Sequence, residues 1–172
     1  MSVATRAPRL LLGRFTTTSP PLALFRLQGG PRVLLLLEAA ARAAGRASFD
    51  ISARDGAVHA RDAAEAHFLG PNGMSMRPIG TALAMIIAPF RGKCLVHEVP
   101  PCTPLPPELV ILHEHSDHYS VQPAITMTPA ALNAALTAWL AQQTVLRMDG
   151  KDAFYARHPD MRPEVVGFSR NA

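Results

Sequence analysis

Residues 110–123 read VILHEHSDHYSVQP. Two strand-length runs, ELVILHEH and YSVQPAI, stand either side of Ser116 and Asp117, and a third, KCLVHEVP, precedes them across the proline-rich PPCTPLPP. Runs of this length, bounded by turn residues and prolines, read as neighbouring strands. Upstream, PLALFRLQ lies between Pro21 and the Gly29-Gly30 turn and reads as a further strand over roughly residues 22–28, with Arg26 near its end.

Helices fill the intervals. Pro31 suits a first helical turn and Gly45 the residue past a last one, so a helix is expected from Pro31 to about Ala44. Residues 48–62 show no clear period, and DAAEAHF has the composition of a helical turn or two. GPNGMSMRPIG, residues 70–80, holds three glycines and two prolines and is expected to be irregular backbone. TALAMIIAPF reads as a short helix broken at Pro89. Thr128 followed by Pro129 starts another, with Leu132, Leu136, Trp139 and Leu140 on one face down to about Gln143. Past Met148 the chain reads as polar loop. These elements make an α+β fold with a mixed, mostly antiparallel sheet and flanking helices.

The 172 residues, 48% hydrophobic and 17% charged, suit one compact domain with a real core. Residues 1–20 read as a basic presequence or disordered arm, 21–145 as the domain, and 146–172 as a C-terminal extension. The first acid is Glu38, whereas Arg6, Arg9, Arg14, Arg26 and Arg32 precede it. That composition fits a mitochondrial transit segment cleaved before Leu22, and equally a basic terminus on a cytoplasmic protein. The net charge of +4 is spread along the chain, with Arg91-Gly92-Lys93 the one local cluster. Two tyrosines and one tryptophan offer no stacking platform, which argues against nucleic acid as a partner. No apolar run approaches the roughly 18 residues of a membrane span. Cys94 and Cys102 form no metal or redox pair and read as ordinary reduced residues.

His113, Glu114, His115, Asp117 and His118 fall within six residues. Their His-x-His-x-Asp-His spacing resembles the zinc-holding motif of metallo-β-lactamase-type hydrolases. Strand alternation puts His113 and His115 on one face, about 7 Å apart, with Glu114 on the other. A two-zinc site needs further ligands from a second αβ half, yet after His118 come only one histidine, His158, and the isolated aspartates Asp149, Asp152 and Asp160. A zinc-dependent hydrolase using His113, His115, Asp117 and His118 stays as an alternative, but no metal is expected.

Taken in order, LFRLQ, GPNGMS and LPPELVILHEHSDHYSVQPAITMTP, with the helix after them, resemble type VI secretion toxins with an ADP-ribosyltransferase-like fold, and eukaryotic proteins sharing that domain. The toxin pieces are a strand ending in arginine, a Gly-Gly-Thr-Ser turn, an Ile-Pro-Pro-Asp-Leu segment and a Thr-His-Tyr-Thr strand. The likeness spans about Leu22 to Gln143. It implies NAD as substrate, cleavage of the nicotinamide–ribose bond and transfer of ADP-ribose to a macromolecular acceptor, a protein. Arg26 falls where such folds hold the NAD phosphates or ribose, Ser75 at the serine of the Gly-x-Ser turn, and His118 at the His-Tyr pair. These three are the implied catalytic residues, with Asn72, Gly73, Arg77 and Tyr119 as further NAD contacts. Two departures accompany the likeness. Met74 stands where the toxin turn has threonine, and no catalytic glutamate is evident, so that Asp117 or Gln122 would have to substitute for it. A catalytically decayed nucleotide-binding or regulatory module is the alternative that keeps the fold.

Overall fold

The computed structural model describes residues 9–15 and 20–163. Among the described residues, seven strands form two antiparallel sheets. The four-stranded sheet runs β1 (Gly13–Phe15), β5 (Leu109–His115), β6 (His118–Pro123), β3 (Met74–Met76). The three-stranded sheet runs β2 (Leu24–Gln28), β4 (Leu95–Val99), β7 (Leu146–Asp149). The α-helices of the described residues are α1 (Glu38–Ala43), α2 (Thr81–Ile87), α3 (Pro129–Leu140) and α4 (Lys151–Arg157). The α+β expectation holds.

The sheets meet where Phe25 and Arg77 exchange backbone hydrogen bonds of 2.7 and 3.1 Å, so β2 runs beside the end of β3. The main core lies on the inner face of the four-stranded sheet, where Met74, Met76, Ile111, Tyr119 and Val121 pack with Leu132, Leu136 and Trp139 of α3. A second core packs Phe25, Val96 and Met148 against α2 and α4. Helix α3 starts as its sequence implies: Thr128 Oγ1 accepts from the Ala131 amide at 3.2 Å, and Pro129 occupies a first-turn position that needs no donor.

Several expectations are corrected. Pro31 and Arg32 bend, residues 33–37 are extended, and only Glu38–Ala43 is helical. Alternation explains this: Val33 is 1% and Leu35 7% exposed, while Leu34 between them is 79% exposed. The extended segment also finds hydrogen-bond partners outside itself. The amides of Val33, Leu35 and Leu36 donate to Thr137 Oγ1, Asn133 Oδ1 and Asp50 Oδ2 at 2.9, 3.1 and 2.7 Å. The glycine-rich 70–80 stretch is not wholly irregular, because β3 lies inside it and pairs with β6. DAAEAHF forms an isolated turn rather than a helix. KCLVHEVP belongs to the other sheet from its sequence neighbour β5, the prolines of the connection carrying the chain across. Beyond Met148 the chain is α4, which buries Phe154 and Tyr155.

Gly13–Phe15, within the stretch read as an arm, pairs with β5, and Leu146–Asp149, at the expected start of the extension, pairs with β4. Most of the basic presequence, residues 1–8 and 16–19, lies outside the described residues.

Candidate active site

The β5–β6 hairpin has two chemically different faces. Strand alternation and the register Val110↔Gln122, Leu112↔Ser120 and His113↔Tyr119 put Ile111, His113, Tyr119 and Val121 on the core side. Val110, Leu112, Glu114, His118, Ser120 and Gln122 take the other side. Ser75 is registered against Ser120 and Arg14 against Leu112, so both join that second face.

Glu114 organises this face. Its Oε1 accepts from Ser120 Oγ at 2.5 Å and from Gln122 Nε2 at 2.9 Å, and Gln122 Nε2 also reaches Ser120 Oγ at 2.8 Å. Its Oε2 lies 2.7 Å from His118 Nδ1. The carboxylate is 1% exposed. A buried charge is tolerated only when paired and hydrogen-bonded, and the three side chains of β6 do this. Residues 61–70 cover the face: Arg61 and Ala63 share a small cavity with Val110, Leu112 and Gln122, and Phe68 meets the His115 ring edge-on at 5.9 Å. Arg14 fastens this strap through Nη2 to the Asp62 carbonyl at 3.0 Å. Burial pulls the Arg61 guanidinium below its ordinary pKa, and the charge of Glu114 acts in the opposite direction.

Arg26, on β2 opposite His97, donates from Nη1 to the Ser75 carbonyl at 3.2 Å. Burial lowers its pKa, partly offset by Asp50, and its Nε has no partner among the described residues. Arg26, Ser75 and His118, far apart in sequence, are therefore connected: Arg26 to the backbone of Ser75, Ser75 to its cross-strand partner Ser120, and Ser120 through Glu114 to His118. Asn72 is buried, donates to the His59 carbonyl at 3.1 Å, and lines an open cleft of about 670 Å³ with His59 and Arg61. Arg26, Ser75 and His118 do not line that cleft.

The other implied contacts are placed differently. Gly73 packs so closely on β6 that a Cβ would lie 2.1 Å from the Val121 carbonyl oxygen, which gives it a structural reason to be glycine. Arg77 pairs with Asp117, tying the end of β3 to the hairpin turn. Tyr119 lies in the core, stacked on His113 at 4.1 Å, and burial raises the pKa of its phenol. It faces away from His118 because neighbouring strand residues point to opposite sides.

The structure also changes the reading of the missing acid. Asp117 is engaged by Arg77, and Gln122 is a donor to Glu114 rather than its substitute. Glu114 does lie on the opposite face from His113, but it shares the face of His118 and Ser75. The legible signal was the alternation in HYSVQ, whose polar residues form one face; the contribution of the 61–70 strap carried none. Met74, 0% exposed, points into the core, so a hydroxyl at that position would not reach Glu114.

The hydrolase ligand set does not converge. His113 Nε2 is 2.7 Å from the Ser116 carbonyl, and Asp117 is paired with Arg77. A different set does, since ligand atoms of Glu114, His115 and His118 all lie within 4.8 Å of one another.

No curated protein and no solved structure shows significant similarity to the chain. The family model described as Tse2 ADP-ribosyltransferase toxin matches residues 22–149, a span that contains Arg26, Ser75, Glu114 and His118. The chain therefore belongs to the Tse2 ADP-ribosyltransferase toxin family.

Proposed function

We propose that the protein cleaves the nicotinamide–ribose bond of NAD and transfers ADP-ribose to a nucleophile on a protein. The observation that carries this reading is a continuous arrangement in which Ser75, Ser120, Glu114 and His118 share one face of the four-stranded sheet and Arg26, from the three-stranded sheet, reaches the Ser75 backbone. In the reaction the bond between ribose C1′ and nicotinamide nitrogen breaks, its electron pair neutralising the pyridinium. The positive charge left on the ribose is met by the acceptor nucleophile, which gives up a proton.

Each residue has a part that its surroundings support. Arg26 supplies a cation for the pyrophosphate or ribose, and its Nε has no competing partner among the described residues. Ser75 is half-buried and its hydroxyl makes no hydrogen bond among the described residues, which leaves it for a ribose hydroxyl. Glu114 is a positioning residue. By accepting the Nδ1 proton of His118 it leaves Nε2 as an acceptor for the proton of the incoming nucleophile. Asn72 and Arg61 border a cleft of a size suited to a small-molecule ligand.

The test is incubation of the full chain with NAD, following released nicotinamide and labelled ADP-ribose on protein. His118→Ala should lower turnover by about 10²-fold or more. A purified chain that neither binds nor consumes NAD overturns the reading. The burial of Glu114 favours a second reading, a nucleotide-binding module without turnover, in which calorimetry detects NAD binding and no nicotinamide is released.

A further inference from the structure

Three ligand-type side chains meet at the β5–β6 turn. The ligand atoms of Glu114, His115 and His118 lie within 4.8 Å of one another. Donors held about 2.0–2.2 Å from a zinc ion in tetrahedral geometry stand about 3.3–3.6 Å apart, so a small adjustment brings the set onto one ion. A register shift between His113 and His115 makes this approach feasible. Without it, alternation would leave His115 on the side away from Glu114.

The carboxylate is already held as metal ligands commonly are. Ser120 and Gln122 fix Oε1, leaving Oε2 turned towards His118, and outer hydrogen bonds of this kind orient a ligand and raise its affinity for metal. The His115 ring stacks on that of His118 at 5.0 Å and 22°, and is half-buried. Two imidazoles and one carboxylate suit zinc, with water as the fourth ligand.

We infer that Glu114, His115 and His118 form a zinc site, and that the ion shuts off transfer by occupying Glu114 and His118. Metal binding replaces the Glu114–His118 hydrogen bond, so the positioned imidazole and the metal-bound state exclude each other. The inhibitory half of this inference rests on the transferase reading; the binding half does not.

Zinc is titrated calorimetrically into metal-free full-length protein carrying Cys102→Ser, which removes the exposed thiol as a rival ligand. One ion should bind per chain. His115→Ala should weaken it by at least about 30-fold, Glu114→Gln by at least about 10-fold, and His113→Ala should leave it unchanged. Failure to bind micromolar zinc, or equal affinity in the His115→Ala protein, overturns the site. In the NAD assay zinc should suppress the parent and chelator restore it, whereas the His115→Ala protein should turn over NAD normally and resist zinc. A chain that binds zinc through these residues but never consumes NAD overturns the transferase reading and leaves the metal site standing. One that consumes NAD and binds no zinc overturns the metal site alone, and one that turns over NAD unchanged with zinc bound overturns the inhibitory half.

Discussion

Glu114 holds its partners through two oxygens with different tasks. Oε1 satisfies Ser120 and Gln122, while Oε2 fixes the tautomer of His118. Replacing the carboxylate with an amide of the same shape separates these tasks. In a Glu114→Gln protein the amide oxygen can still serve Ser120 and Gln122, but the amide nitrogen donates to His118 Nδ1 and drives the ring proton to Nε2. The protein should then fold and melt close to the parent, while turnover of NAD falls by at least about 10², the penalty of a wrongly protonated base. Glu114→Ala instead removes the shared acceptor of Ser120, Gln122 and His118 and should destabilise by about 1–3 kcal/mol in urea unfolding.

His97 supplies a pH prediction at the same scale. It is 3% exposed on β4, and its pKa is lowered to about 4 by burial first, then by Arg147 and Arg26, with Asp149 opposing. The unfolded chain, titrating near 6.5, binds more protons than the folded one between these values. The stabilisation contributed by the neutral ring is therefore complete above pH 6.5 and is lost as pH falls towards 4. The loss should approach about 3 kcal/mol. Urea unfolding at pH 7 and pH 4 should show it, and His97→Gln should flatten the difference.

At the scale of elements, two placements decide the site. Strand β3 is held against β6 by Gly73, whose missing side chain lets the Val121 carbonyl approach. Gly73→Ala should push β3 away, cost more than about 3 kcal/mol and reduce NAD turnover together with stability, both read from one purified protein. The extended 33–37 segment is held by side chains of α3 and by Asp50. Asn133→Leu should orphan the Leu35 amide and lower stability by about 1–3 kcal/mol, with little effect on turnover since it lies away from Glu114. These two elements also mark where sequence legibility ended. The pattern of β5, β6 and α3 was readable because alternation or helical period repeated over several residues. Pro31 and Gly45 carry the same punctuation whether the chain between them coils or extends, and the choice was made by acceptors on α3 and on Asp50 that take the amides of Val33, Leu35 and Leu36.

For the molecule as a whole, the joint between the two sheets is the critical feature. Phe25 is 2% exposed, exchanges backbone bonds with Arg77, and packs edge-on against Phe154 at 6.0 Å and His158 at 5.3 Å. It neighbours Arg26 in sequence, so the second core supports the arginine that reaches Ser75. Phe25→Ala should destabilise by about 3–5 kcal/mol and, in the fraction that remains folded, weaken NAD binding measured by calorimetry. The partner His158 is itself anchored near Glu98, which accepts from Arg157 at 2.8 Å. Helix α4, read from sequence as loop, thus reaches the site through packing.

The sequence by itself determined the α+β class, the hairpin of β5 and β6, the start of α3, and the order of motifs that marks the family, because each depends on short-range periodicity or on residue order. Tertiary structure alone decided which residues act together. One shifted register and one antiparallel pairing brought Ser75, Ser120, Glu114 and His118 to a common face, sent Tyr119 to the core, and gathered Glu114, His115 and His118 in place of the His113, His115, Asp117 and His118 cluster written in the sequence. Pairing between strands distant along the chain, and the need to satisfy a buried carboxylate, are properties that no local pattern contains.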